Sequence, residues 1–147
     1  MMGYIPRKRV LILCTGNSCR SQMAEGFINA LLGDTWSAFS AGTAPSDRVH
    51  PLAVRAMAEV GIDISRQEPE PVERHLDRHW DLVITVCDAA RESCPVFPGP
   101  VEQIHVSFPD PARATGTEEQ RMVVFRKVRD AIRERLLPEV ERRSGTA

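Results

Sequence analysis

The apolar residues of this chain alternate between short unbroken runs and longer stretches in which they recur at helical spacing. Val10-Leu11-Ile12-Leu13 is too short for a helix and suits a strand buried on both faces. Behind it, Met23, Phe27, Ala30 and Leu31 fall on one helical face, with Ser21 as N-cap and Gly33 as the stop. Trp36 to Ala41 alternates as a second strand, closed by Gly42. Pro51 sits at the first turn of a helix running to about Val60, with Gly61 ending it. Gln67-Glu68-Pro69-Glu70-Pro71 excludes a regular helix and reads as an extended surface connection, followed by a helical turn within 73–79.

Asp81 to Val86 is the clearest strand after the first, and it ends at Cys87. One or two helical turns fit 88–93 before Pro95, and a proline-rich loop follows to Pro100. Gln103 to Val106 is a short strand. A long helix starts near Thr117, where Thr117 and Gln120 form a capping box, and its stripe is Val124, Val128, Ala131, Ile132 and Leu136. Residues 1–8 read as a polar lead-in and 138–147 as a loose tail. Strands alternating with helices predict one α/β domain over 1–147. Its parallel sheet is covered on both faces, a three-layer α/β/α arrangement with four strands. Sites in such sheets lie past the C-terminal strand ends, where Cys14, Cys87 and Asp110 all fall.

The chemistry concentrates in Cys14-Thr15-Gly16-Asn17-Ser18-Cys19-Arg20-Ser21, between the first strand and the first helix. A strand running through a tight loop into a helix N-terminus gathers backbone N–H groups and the positive end of the helix dipole around one point, which suits an oxyanion. Cys14 in that field is expected to carry a lowered pKa and react as a thiolate. Arg20 offers a planar fork for two oxygens of a tetrahedral anion. The competing reading of Cys14 as a small core residue at a strand end leaves the arginine, the glycine and the helix start unexplained.

Composition narrows the rest. The 147 residues are 42% hydrophobic and 27% charged, as in a globular chain, and the net charge of −1 gives no general attraction to nucleic acid or membrane. No apolar run approaches the ~20 residues that span a bilayer, and Val10 to Leu13 is too short for a secretory leader. A cytoplasmic protein is expected. Four cysteines in that compartment point to redox or metal chemistry more than to structural disulfides. Their spacings fit zinc knuckles poorly. The four histidines share no ligand spacing and read as structural or surface residues.

The stretch from Cys14 to Gly26 resembles the signature of low-molecular-weight tyrosine phosphatases, and more closely that of arsenate reductases of the same fold that couple to thioredoxin. Further matches are Ser40-Ala41-Gly42, Gly61-Ile62-Asp63-Ile64-Ser65 and Asp110-Pro111-Ala112, and the resemblance runs from about Arg9 to Leu137. It implies Cys14 as nucleophile, loop residues Thr15 to Ser21 as substrate binders, and Asp110 as general acid. It also implies Cys87 and Cys94 as a disulfide relay, which ordinary phosphatases of the fold lack. Cys19 has counterparts in those phosphatases and reads as structural, with a protective Cys14–Cys19 disulfide as the alternative. On a helix, a spacing of seven puts Cys87 and Cys94 on one face but roughly 10 Å apart. A disulfide needs Cα atoms within about 7 Å, so the segment must unwind on oxidation.

In some reductases of the family a potassium ion is bound with help from an Asn, a helix Glu and a Ser, matched here by Asn17, Glu25 and Ser40. The segment Arg66-Gln67-Glu68-Pro69-Glu70 departs from the Thr/Ser-rich stretch that accompanies that site. The resemblance thus implies a monomeric, cytoplasmic reductase taking arsenate, with phosphate or sulfate as mimics, thioredoxin as reductant and no tightly bound cofactor. The rivals are a phosphatase and a non-catalytic redox sensor, and mycothiol or glutaredoxin is the alternative reductant. Against a phosphotyrosine-binding wall, aromatic content is 5%, Tyr4 is the only tyrosine, and Ala112 follows Asp110-Pro111.

Overall fold

The structure, a computed structural model, describes residues 6–145. Its sheet has four parallel strands, β1 (Lys8–Cys14), β2 (Trp36–Gly42), β3 (Leu82–Thr85) and β4 (Glu102–His105), in the order β2-β1-β3-β4. The apolar run Val10 to Leu13 becomes the inner strand. Ile12 lies opposite Ser40 on one side and Ile84 on the other, and all four residues of the run are fully buried. β4 is an edge strand and correspondingly exposed.

The helices are α1 (Arg20–Leu31), α2 (Pro51–Ala58), α3 (Asp88–Glu92), α4 (Glu118–Arg135) and α5 (Leu137–Arg142), with short 3-10 turns at Val72–His75 and Pro111–Arg113. Period-two alternation on β2 separates the two faces. The Ser40 hydroxyl donates to Glu25 of α1, and the Trp36 indole N–H donates to the Ser144 hydroxyl beyond α5. Phe39 points the other way, edge-on to the buried Trp80, whose Nε1–H donates to the His75 carbonyl. Each face of the sheet is therefore covered by a different part of the chain.

Two expectations shift. The core face of α4 holds Met122, Phe125, Val128 and Ile132, while Val124 is only half-buried. Phe125 buries more apolar area than Val124 could, and the face rotates toward the larger side chain. The predicted capping box at Thr117 and Gln120 is present.

The stretch read as a loose tail is instead ordered through α5. Pro138 starts a new helix after α4, and Leu137 and Val140 enter the core. Arg143 then pairs with Glu102 of β4 and Glu139, and its carbonyl accepts from Lys8 Nζ at 3.0 Å. Two apolar positions among arginines and glutamates make a weak sequence signal, yet they suffice once the face of α1 and α4 offers a site. Residues 146–147 lie outside the described residues, as do 1–5 of the lead-in. Val140→Ala is expected to cost about 2 kcal/mol of stability, read from chemical denaturation. A loss below a few tenths of that figure would mean that α5 does not contribute to the core.

Candidate active site

The loop after β1 is built so that its carbonyls face outward. The carbonyls of Cys14, Thr15, Gly16 and Ser18 accept from the N–H groups of Thr43, Ala44, Ser46 and His50, at 2.8–3.2 Å. Sheet order makes this possible, because β2 lies beside β1 and delivers the 43–50 segment to the loop. Gly42 is required there: a Cβ on it would meet the Thr15 carbonyl oxygen at 2.5 Å.

Asn17 is the internal brace. It is fully buried with φ 51°, a left-handed backbone that asparagine tolerates. Its side-chain amide donates to Ser21 Oγ at 2.8 Å and accepts from the Glu70 N–H at 2.9 Å, and its carbonyl accepts from Gln22 Nε2. With the carbonyls turned out, none of the N–H groups of Gly16 to Arg20 donates to a protein acceptor among the described residues. They are the inward-facing donors of an oxyanion cradle.

Arg20, the first residue of α1, donates from Nη1 to the Phe108 carbonyl at 3.0 Å and lies 4.0 Å from Asp110 through Nη2. Its Nε–H is buried without a protein partner, a charged donor left for a ligand. Asp110 N-caps the Pro111–Arg113 turn, accepting from the Ala112 N–H at 3.0 Å, and is one-third exposed. The cavity has a volume of roughly 620 Å3, and Cys14, Arg20, Cys87, Asp110 and Arg113 line it. The strand ends therefore do converge on one rim.

Cys87 follows β3 and caps the N-terminus of α3, its sulfur accepting from the Ala90 N–H and lying 3.4 Å from the Thr15 hydroxyl. Cys14 lines the same cavity, and each of the two thiols sets the proton affinity of the other. The Cys14 side chain, with the Thr15 hydroxyl and the Ala90 N–H, draws the Cys87 pKa down to about 5 against the cost of burial. The Cys87 side chain and burial push the Cys14 pKa up, although Arg20 and the Thr15 N–H pull it down. The sequence reading treats Cys14 as a lone thiol, and the structure sets a second sulfur beside it. The two thiols titrate as a pair, with one proton and one negative charge shared between the two sulfurs.

Cys94 is not brought to them. It lies beyond α3, beside Gln103 of β4, in a different cavity from Cys87, and burial raises its pKa. All four cysteines are free thiols. Cys19 is buried 3.6 Å from the Ser18 hydroxyl, and burial lifts its pKa to about 11, so it stays protonated.

Of the residues matched to the family's potassium site, Ser40 and Glu25 meet at 2.6 Å, and the Asn17 amide bonds to Ser21 of α1 and to the Glu70 N–H. Glu25 and Ser40 face a separate cavity of roughly 260 Å3 beside Glu70, with the basic groups Arg66 and His75 in the same wall. Among the described residues no group of three or more His, Cys, Asp or Glu could hold a metal.

Sequence reasoning placed the loop, Arg20, Asp110 and Cys87, and missed the bracing from Gln22 and Glu70, the Thr15–Cys87 contact and the lining by Arg113. Only the strand order could have signalled that 43–50 anchors the loop.

A thiol at a strand end, a helix-capped oxyanion loop closed by arginine and an Asp-Pro turn at the rim define a cysteine-dependent oxyanion enzyme built on a parallel sheet. The chain belongs to the low molecular weight phosphotyrosine protein phosphatase family, which its residues 9–142 match. It is 49% identical to an arsenate reductase of Bacillus subtilis strain 168 over 129 residues, covering 88% of this chain and 92% of the relative. A solved arsenate reductase in a phosphate-binding state superposes with a TM-score of 0.69 at 38% identity, covering 92% of this chain and 98% of the other. A thioredoxin-dependent arsenate reductase of Corynebacterium glutamicum superposes with a TM-score of 0.63 at 27% identity, covering 92% of this chain and 63% of that one.

The shared proton gives a titration to measure. Thiolate absorbance in the reduced protein should rise with a midpoint near about 5 and report one thiolate. Cys14→Ala removes the largest stabilising donor to Cys87 and should raise that midpoint by about a unit or more, with Thr15→Val raising it less. An unchanged midpoint in Cys14→Ala would show that the thiols do not share a proton.

Proposed function

We propose that the protein reduces arsenate to arsenite, with Cys14 as nucleophile and a Cys87/Cys94 disulfide relay that thioredoxin resets. The observation that carries this reading is a second thiol, Cys87, in the same cavity as the nucleophile, where a phosphatase would need water.

Arsenate enters the loop against the free N–H groups of Gly16 to Arg20 and the Arg20 guanidinium. Cys14 Sγ bonds to arsenic, and the displaced oxygen leaves as water, with Asp110 placed to pass it a proton. The Cys87 thiolate then attacks Cys14 Sγ. The sulfur–sulfur bond forms, the arsenic–sulfur pair stays on arsenic, and As(V) becomes As(III). Cys94 next attacks Cys87, returns Cys14 as thiolate and leaves a Cys87–Cys94 disulfide.

That last step needs motion. α3 lies between the two sulfurs and buries only Ala90. Its further tie is Asp88, which accepts from His105 Nε2 at 2.9 Å. A five-residue helix with so little burial opens at low cost.

No helix of the described residues is long and apolar enough to cross a membrane, and a reductant-coupled thiol relay suits a cytoplasmic monomer. Phosphate is near-isosteric with arsenate, so the same loop, Arg20 and Asp110 support a slow phosphatase side reaction. No step is routed through potassium.

The test is arsenite release. With thioredoxin, thioredoxin reductase and NADPH the purified protein should turn over repeatedly, and with thioredoxin omitted it should release about one arsenite per chain. Cys94→Ser should stop after that first turnover and Cys87→Ser before it. Full multiple turnover by Cys94→Ser would sink the relay.

Glu25 gives a separate pH prediction. Burial holds its carboxyl up at about 7, and the Ser40 hydroxyl only partly offsets this. Between the ordinary carboxylate range and pH 7 the unfolded chain has lost this proton while the folded chain keeps it. Stability should therefore fall as pH rises through that window, by on the order of 3 kcal/mol. In Glu25→Gln this fall should vanish. A wild-type stability that rises over the same window because of Glu25 would contradict the assignment.

A further inference from the structure

We propose that the cleft beside the oxyanion loop, walled by Arg48 and Arg121, is a second anion subsite, so that the site accepts small organic oxyanions carrying a second carboxylate or phosphate. This rests on the reading of the loop as an oxyanion site and concerns a different set of side chains.

The cleft has a volume of roughly 520 Å3 and joins the catalytic cavity through shared walls at Ser18, Ser46 and Ala112. The small side chain of Ala112, on the turn that carries Asp110, leaves that passage open. Arg48 and Arg121 face the cleft, and neither forms an ion pair among the described residues. The one carboxylate in the wall, Glu118, is already engaged by Arg55 at 3.0 Å. The positive charge of the cleft is thus uncompensated.

The hydrogen-bond inventory agrees. Arg121 Nε is buried with no partner, and the one neighbour of its guanidinium is His50 Nε2 at 3.5 Å. That contact cannot satisfy it. His50 Nδ1 accepts from the Leu52 N–H as the N-cap of α2, so in the neutral ring the proton sits on Nε2. Two donors therefore face each other, and burial with the charges of Arg121 and Arg48 keeps the ring from protonating further. Donors from Arg48, Arg121 and His50 line the cleft, the one carboxylate beside them among the described residues is Glu118, paired with Arg55, and the Asp110 carboxylate, whose charge also reaches His50, belongs to the catalytic wall. A carboxylate or phosphate supplies several acceptors at once and neutralises the charge.

The shared walls set the ligand class: one oxyanion in the loop and a second anionic group on the same small molecule, reaching past Ser18, Ser46 and Ala112. Non-hydrolysable probes test this on the reduced wild-type protein by calorimetry. Propylphosphonate and phosphonopropanoate differ in one terminal group, and inorganic phosphate reports the loop alone. Phosphonopropanoate should bind about tenfold tighter than propylphosphonate. That preference should fall below about threefold in Arg48→Ala with Arg121→Met, while the inorganic phosphate affinity stays unchanged. Arg48 is exposed, so Arg48→Ala alone keeps the test valid in a chain that folds normally, with part of the preference lost. A larger gain for propane bisphosphonate than for the carboxylate assigns the second group as phosphate, and the reverse assigns it as carboxylate. Equal binding of the two monophosphonates, or a preference that survives the double variant, overturns the subsite. Failure of the parent to bind inorganic phosphate at all overturns the loop reading and the subsite together.

Discussion

Everything at the active rim depends on which way the peptide units of residues 14–20 face. A tight loop has as many carbonyls as N–H groups, and an anion is repelled by one as strongly as it is drawn by the other. The 43–50 segment resolves this by donating to the carbonyls of Cys14, Thr15, Gly16 and Ser18. The Asn17 side chain then ties the loop to α1 at Ser21 and to the distant Glu70 backbone. Oriented dipoles fixed before a ligand arrives cost no reorganisation on binding. The oxyanion site is thus a property of the β1–β2 pairing as much as of its own residues.

Within that frame the thiol pair divides the labour. Each sulfur sets the proton affinity of the other, and the asymmetry comes from their second neighbours. Cys87 has the Thr15 hydroxyl and the Ala90 N–H of α3, whereas Cys14 has Arg20 and the backbone of the oxyanion loop. A charge shared by two sulfurs is available to whichever of them has an electrophile in front of it.

Much of this was legible from the order of residues. Val10 to Leu13 could be nothing but a buried strand, and a strand followed by Cys14, Gly16 and Arg20 at a helix start announces its purpose through local chemistry alone. Cys87 and Asp110 were placed because both follow strands, and parallel strands share one C-terminal rim. What could not be read were effects between partners far apart in the chain. The Cys14 pKa was argued from the loop alone, without the second sulfur that Cys87, 72 positions from Thr15, brings to the same cavity. The 138–147 tail was misjudged because Leu137 and Val140 gain their meaning only against a face assembled from α1 and α4. The tie from Asn17 to the Glu70 backbone, 53 positions away, likewise has no signal in the sequence.

The slight burial of α3 has a consequence for how the relay meets its reductant. In the resting protein Cys87 is buried and Cys94 only half-covered behind a formed helix, so no disulfide is on display and a reducing partner has nothing to grip. Oxidation would pull Cys94 across the helix that separates it from Cys87, and the unravelled segment itself becomes the badge of a spent enzyme. Reducing power would then be drawn only by molecules that have already delivered their arsenite.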